Sequence, residues 1–375
     1  MINKKNKYIW ENGQWPHFIW NESKILGPLS KARKIQGKML ALASFVGIES
    51  QANLFVEDAL KTSAIEGEKL DVHSLRSSVA KRLGLPTVGV LQSERKIDGL
   101  VEMLLDATVN YKKNLDSKRL KGWQAGLFPT GYSGIHEIKV GNWRESMEPM
   151  RVVSGAMGKE KIHFEAPPAK KIPKEIDQFL KWFNSTSELD GLIRAAIAHL
   201  WFITIHPFDD GNGRVARAIT DLALAQDEGI AKRCYSLSSQ ISKSRKEYYE
   251  ILEKTQKGDL DITEWILWFL ELMIQALESS LEIIKKAQLI GEFWENLSEI
   301  EINTRQKKVL QKMLEQEPKG FEGGMTNKKY VSITKTSRET AKRDLADLEE
   351  KGIIKRNPGM GRSISYSLNW VIQIY

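Results

Sequence analysis

Residues 206–217 read His-Pro-Phe-Asp-Asp-Gly-Asn-Gly-Arg-Val-Ala-Arg. The run places an imidazole (His206), a carboxylate (Asp210), a glycine turn (Gly211-Asn212-Gly213) and two arginines (Arg214, Arg217) in three helical turns' worth of chain. Gly-Asn-Gly has too little apolar surface to be core. Its glycines permit positive-φ conformations that aim successive backbone N–H groups at one point. The following Val215–Leu224 stretch is strongly helical, so the turn is expected to open a helix. A helix N-terminus attracts anions through its dipole and its unpaired N–H groups. Arginines three apart share a helix face and can add forked donors to the same anion.

That set of groups suits a polyphosphate. Asp210 is an oxygen ligand of the kind that holds Mg²⁺ against phosphate oxygens. His206 can take a proton from an attacking hydroxyl near neutral pH. Together they imply transfer of part of a nucleotide onto a hydroxyl.

The run resembles the Fic family motif, His-x-Phe-x-Asp/Glu-Gly-Asn-Gly-Arg-x-x-Arg, and matches all eight of its specified positions. The resemblance implies transfer of AMP from ATP to a protein Ser, Thr or Tyr hydroxyl, with release of pyrophosphate. It makes His206 the base, Phe208 the anchor of the loop and Asp210 the Mg²⁺ ligand. Gly211, Asn212, Gly213 and Arg214 would hold the α- and β-phosphates, and Arg217 the γ-phosphate. Farther on, Tyr248 in Glu247-Tyr-Tyr-Glu-Ile-Leu-Glu-Lys-Thr-Gln-Lys-Gly-Asp matches the tyrosine expected near adenosine, although Gln256 stands where Asn is usual.

Working outward, Thr62-Ser-Ala-Ile-Glu-Gly67 resembles the family's inhibitory helix, Ser/Thr-x-x-x-Glu-Gly/Asn. By that resemblance Glu66 pairs with Arg217, takes the γ-phosphate's place and inhibits the enzyme. Met150-Arg-Val-Val-Ser and Lys161-Ile-His-Phe-Glu are two β-prone runs around Gly155–Gly158 and read as a hairpin. In Fic proteins a hairpin at this place is a flap that clamps the target by strand addition, here through Val152, Val153 and Ile162. His163 within it reads as a surface residue. His199, two turns before His206, reads as a satisfied core histidine. Trp10, Trp15 and Trp20 read as a packed brace, with Asn21 or Ser23 capping the next helix. This opening resembles an N-terminal domain often fused to Fic domains in bacteria. Residues 91–127 read as helical, as do Glu175–Asn184 and Leu192–Ile205.

Over 375 residues the net charge is +8 and the apolar content 41%. Residues 301–375 hold about 15 basic against 9 acidic side chains, an asymmetry that favours an anionic partner there. Helices at Asn303–Gln316 and Met325–Tyr330 precede a third capped by Thr336 or Ser337. On that helix Leu345 and Leu348 face inward, while Arg338, Lys342 and Arg343 face outward among Glu339, Asp344 and Asp347. A hairpin follows, with Arg362 in its turn. These residues resemble a bacterial winged helix-turn-helix, which binds DNA through such a helix or serves protein contacts instead. No window approaches a membrane span, since even Trp265–Leu277 is interrupted by Glu271. No secretory signal is visible, and the single cysteine, Cys234, reads as an apolar filler in a cytoplasmic protein.

The expected fold is therefore mainly α: a Fic-type helical bundle with a β-hairpin flap, plus a C-terminal winged helix-turn-helix domain. The expected divisions are 1–90, an N-terminal helical domain carrying the inhibitory helix, 91–290, the core, and 297–375. Expected partners are ATP with Mg²⁺, a target protein the sequence does not name, DNA, and a second copy of the chain in a homodimer. Two other readings stand beside AMP transfer. One is a DNA-binding regulator whose core senses nucleotide, and the other is an enzyme of this type that removes AMP or uses another donor.

Overall fold

The computed structural model describes residues 7–86, 94–154, 161–185, 188–232, 234–317, 320–358 and 364–370, the side chain of Phe45 apart. The Gly155–Gly158 turn of the expected flap and Arg362 lie outside the described residues. The chain forms two compact units, Met1–Ser280 and Leu281–Tyr375.

In the first unit, Asn21 caps α1 (Glu22–Leu42) by accepting from the Lys24 N–H. Next come α2 (Ile48–Ile65) and α3 (Val72–Leu83, capped by Asp71). The expected helical stretch 91–127 is two helices, α4 (Arg95–Val109) and α5 (Ser117–Leu127). The break follows local chemistry, because Asn110 closes the first and the Asp116 side chain accepts from Arg119 N–H to open the second. Two hairpins follow: β1 (Tyr132–Ser133) with β2 (His136–Glu137), and β3 (Arg151–Ser154) with β4 (Lys161–Glu165), the latter irregular at Val152/Val153. Helices α6 (Ile172–Asn184), α7 (Gly191–Ile205), α8 (Asn212–Glu228), α9 (Leu237–Lys243) and α10 (Arg245–Gln256) complete the bundle. Helix α11 (Thr263–Asn296) runs through the division between the units.

The centre is α7 against α8, flanked by α4, α5 and α2 on α8 and by α6 on α7. From Leu192 to Ile205 only Arg194 of α7 is not buried, which is why its sequence is apolar on every face. Arg33 of α1 ties the two together, with Nε on Asp190 at the head of α7 (2.8 Å) and Nη2 on Asp227 near the end of α8 (2.9 Å). The aromatic brace is packed, not open. Trp15 and Phe18 meet the Trp201 ring at 6.3 and 5.9 Å, and Trp10 Nε1 donates to the Glu165 carbonyl at 2.8 Å. Cys234 is buried and its thiol is pushed up to about 11, chiefly by burial, so it is a filler and no nucleophile.

In the second unit, a capping box of Asn303 and Gln306 opens α12 (Thr304–Glu315). Helices α13 (Asn327–Thr334) and α14 (Arg338–Glu350) follow, then β5 (Ile354–Arg356) paired antiparallel with β6 (Tyr366–Leu368). Val309, Leu310, Met313, Leu345, Leu348, Ile354 and Leu368 share one core. Ser337 caps α14, and Arg338, Lys342 and Arg343 are exposed on it. Asp344 does not dilute that basic face, contrary to the expectation. It is buried, accepting from Arg305 Nε (2.8 Å), the Tyr330 hydroxyl (2.8 Å) and Asn303 Nδ2 (3.1 Å). Those donors hold its carboxyl below the usual range against the opposing effect of burial.

One close approach fixes the α4–α5 crossing. A Cβ on Gly99 would lie 2.0 Å from the Gly126 carbonyl oxygen, backbone against backbone. Gly99→Ala is therefore expected to destabilise the protein by roughly 1–3 kcal/mol or more, because neither helix can yield by rotating a side chain. Urea denaturation checks this, and a stability equal to the parent's contradicts it.

Candidate active site

Helix α7 ends at His206, whose backbone is left-handed (φ 51°, ψ 59°), and that turn throws the chain into the motif loop. Phe208 is fully buried against Trp143 and Phe202, with ring centroids 4.9 and 6.4 Å away. Asn212 closes the loop from within: its Oδ1 accepts from Phe208 N–H (2.9 Å) and its Nδ2 donates to Phe208 O (2.8 Å). The Asn212 side chain is thus spent on the loop, and only its backbone N–H is left to face a ligand. Gly211, at φ 88°, caps α8, and a Cβ there would meet the Phe128 ring at 2.9 Å. Asp209 accepts from the Lys139 N–H at 2.9 Å. Asp210 accepts from the Ser133 hydroxyl and, at 2.5 Å, from the Gly211 N–H.

His206 is half-buried. Its Nδ1 lies 3.2 Å from the Ile203 carbonyl oxygen, which can only accept, so Nδ1 carries the proton and the Nε2 lone pair is free to act as a base. Its pKa is pushed down to about 4, chiefly by burial, with the positive charge of Arg144 acting the same way and Glu66 and Asp210 opposing. At neutral pH the imidazole is uncharged. His199 is the satisfied core histidine expected, between the Thr220 and Tyr248 hydroxyls at 2.9 Å each, with its pKa pushed down to about 3 by burial.

The two motif arginines are almost fully buried at the head of α8. Arg217 donates from Nε to the Thr62 hydroxyl (2.6 Å), and from Nη2 to the Thr62 carbonyl (2.9 Å) and Glu66 Oε1 (2.7 Å). Burial disfavours its charge, but Glu66 together with Tyr248 and Tyr249 outweighs it and holds its pKa above the ordinary value. Glu66 fills the space left by a missing side chain, since a Cβ on Gly213 would lie 2.2 Å from its Oε1. Arg214 lies over the Phe128 ring at 5.0 Å and donates to Glu68 Oε2 at 3.0 Å, while Lys96 holds the other Glu68 oxygen at 2.9 Å. Gly67, at φ 83°, reverses the chain after α2, so carboxylates two residues apart reach the same helix end. Among the described residues, Arg217 Nη1 and Arg214 Nε are buried without an acceptor. Buried guanidinium donors of this kind fit an anion with more oxygens than the two glutamates supply.

Tyr248 is buried, its hydroxyl on His199, so it lies beneath the site and not on its surface. The adjacent Tyr249 is the exposed one, and its hydroxyl lies 3.3 Å from the Ile65 carbonyl at the end of α2. In the flap, Val153 and Ile162 are cross-strand partners and both exposed, whereas Val152 packs on the Tyr8–Phe164 cluster. His163 bridges Ser154 and Glu253 at 2.5 Å each, so it is a half-buried strut and not a free surface residue. Sequence reasoning did not find Glu68, Lys96, Ser133 or Arg144. Only Glu68 had a signal, a second acid across a glycine from Glu66.

For Mg²⁺, Asp210 is a single hard oxygen donor, and among the described residues no group of three His, Cys, Asp or Glu side chains gathers. That donor set fits an ion carried in by a polyphosphate and not one held by the protein alone.

A family model described as Fic/DOC family matches residues 114–224, and one described as a domain of unknown function (DUF4172) matches residues 8–85. A probable protein adenylyltransferase of Aquifex aeolicus is 28% identical over 101 residues, 27% of this chain and 29% of that protein. A protein adenylyltransferase of Caenorhabditis elegans is 34% identical over 91 residues, 24% of this chain and 17% of that protein. Another, of Nematostella vectensis, is 23% identical over 202 residues, 53% and 43% respectively. The matches thus span less than half the length of each of these relatives. The crystal structure of a Fic family protein from Desulfovibrio desulfuricans G20 aligns over 95% of this chain and 98% of its own, with a TM-score of 0.54 and 18% identity, a likeness of fold. The loop and helix built around residues 206–217 fall within the matched segment, and this chain carries a Fic/DOC family domain at residues 114–224.

Proposed function

We propose that the protein transfers AMP from ATP to a Ser, Thr or Tyr hydroxyl of a target protein and is held inactive by Glu66. One observation carries the reading: a neutral imidazole with Nε2 free stands at the end of α7, one loop before an anion site whose arginines are engaged by the chain's own glutamates.

In the active state the polyphosphate lies across the N–H groups at the head of α8, with Arg214 on its inner phosphates and Arg217 on the γ-phosphate. The target hydroxyl oxygen bonds to the α-phosphorus, and the α–β bridging P–O bond breaks to release pyrophosphate. The hydroxyl proton passes to His206 Nε2. Mg²⁺ would be held by Asp210 together with the nucleotide's own oxygens, and supplies charge neutralisation on the phosphates. Flap residues Val153 and Ile162 offer a target segment an apolar ledge beside strand β3, while Val152 anchors the hairpin. Glu66 on Arg217 opposes the arrangement by occupying the γ-phosphate's partner. Among the described residues no helix is long and apolar enough to cross a membrane. The single cysteine of the sequence favours a reducing compartment, and on that ground we place the protein in the cytoplasm.

The basic face of α14 favours a second, separate role. Three helices followed by a hairpin suit a winged helix-turn-helix, and exposed Arg338, Lys342 and Arg343 suit DNA phosphates. The affinity of the full chain for duplex DNA is expected to fall steeply with salt. Lys342→Ala with Arg343→Ala flattens that slope by about one unit per lost contact. Failure of the parent to bind duplex at low salt contradicts this role.

In the reaction itself, His206→Ala is expected to lower transfer by about 10²–10⁴-fold while ATP still binds. Because the base works uncharged and its pKa is about 4, activity is lost only as pH falls toward that value. In Glu66→Gly, which removes a group that raises this pKa, the kcat/KM profile stays flat from pH 8 to below pH 6. A limb near pH 6.5 assigns the base elsewhere.

Glu66→Gly is expected to raise AMP labelling of the protein itself and of lysate proteins by about tenfold or more, the scale of one charge-assisted pair. Arg217→Ala added to it abolishes the gain. Mass spectrometry after incubation with ATP and Mg²⁺ reads both, and equal labelling of parent and Glu66→Gly contradicts the inhibitory role.

A further inference from the structure

The loop that presents His206 is held from outside the motif. Arg144, between β2 and β3, is 2% exposed, and all its hydrogen bonds among the described residues go to backbone carbonyls. Its backbone N–H donates to Pro207 O at 2.9 Å, its Nε to His206 O at 2.8 Å, and its Nη2 to Pro167 O. The choice of partners has a local cause. His206 ends a helix, where carbonyls lack intrahelical donors, and Pro207 and the Pro167-Pro168 pair have no N–H groups of their own. His206 and Lys335 are the non-glycine residues with positive φ among the described residues. That conformation is disfavoured for a residue with a Cβ and persists only where the surroundings hold it. Pro167 closes the exit of β4, so the same guanidinium bonds the catalytic loop with one nitrogen and the foot of the flap with another. A fork of rigid donors does this fully, and an ammonium reproduces it only in part. The neighbouring charge of Asp209 offsets only part of the burial penalty, which pushes the Arg144 pKa down to about 10, still charged at neutral pH.

We propose that Arg144 is a positioning residue that sets the distance between the base and the flap-bound target hydroxyl. The role rests on the AMP-transfer reading above. The phosphate-binding turn has its own internal lock in Asn212 and Phe208, so loss of Arg144 shifts the base and flap while leaving the nucleotide site in place. A misplacement of about 1 Å between reacting groups costs on the order of 100-fold in rate.

The test uses the full chain carrying Glu66→Gly, alone and with Arg144→Ala or Arg144→Lys. Absence of AMP labelling in the Glu66→Gly parent overturns the AMP-transfer reading itself, separately from this inference. Given labelling, Arg144→Ala is expected to lower kcat about 100-fold with ATP affinity, by calorimetry, within about twofold of the parent, and Arg144→Lys to recover part of the loss. A readout without turnover accompanies it: the ¹⁵N imidazole spectrum of His206 loses its fixed Nδ1–H tautomer in Arg144→Ala. Where Arg144→Ala does not fold, Arg144→Lys decides by the same kcat and ATP measurements. A kcat within about threefold of the parent, or equal losses of kcat and ATP affinity, overturns the positioning role.

Discussion

Two guanidinium groups, Arg214 and Arg217, are buried at the positive end of α8, and the rest of the site is arranged around finding them anions. Taking such charges out of water is costly unless partners with several oxygens meet them. Glu66 and Glu68 are those partners in this structure. Their arrival depends on α2 packing beside α8, on Thr62 gripping Arg217 from the same helix, and on Gly67 turning the chain. The glycine at 213 completes the fit, because any side chain there would collide with the Glu66 carboxylate. A site filled in this way is occupied by the chain's own carboxylates, while Arg217 Nη1 and Arg214 Nε stay without an acceptor among the described residues. Opening it requires an anion able to replace a carboxylate and to reach the guanidinium nitrogens it leaves unpaired.

The base follows a different logic. His206 is kept neutral by burial and by a neighbouring positive charge, and one carbonyl selects its tautomer. What holds it is the remote Arg144, which bonds the His206 carbonyl, whereas the turn that follows is closed by the Asn212 side chain on Phe208. In the proposed reaction, phosphate binding and proton abstraction would thus be secured by separate contacts within one loop.

Much of this was legible in the chain because the decisive groups are contiguous. The turn glycines, the helix they open, the paired arginines and the base lie within twelve residues, and Thr62–Gly67 carries its own spacing. The hairpin was readable from two β-prone runs around a glycine turn, and two helix starts from their caps, Asn21 and Ser337. What escaped depends on partners distant in sequence. Arg144 meets His206 across 62 positions, and nothing in Gly141-Asn-Trp-Arg announces it. The pattern singled out Tyr248 over Tyr249, but that Tyr248 is the buried one, its hydroxyl on His199, is a matter of packing. Asp344 looked like a surface charge among basic neighbours. Donors from the start of α12, Asn303 and Arg305, and from Tyr330 of α13 turn it inward, a tertiary effect that overrides the local helix pattern.

In the proposed mechanism Glu66 occupies the partner of one phosphate and not the whole nucleotide site. Calorimetric titration of ATP and of ADP, each into the native protein and into Glu66→Gly, tests this most directly. ATP is expected to gain affinity on loss of the carboxylate while ADP, lacking the γ-phosphate, changes little. An equal gain for both nucleotides, or no gain for ATP, contradicts it.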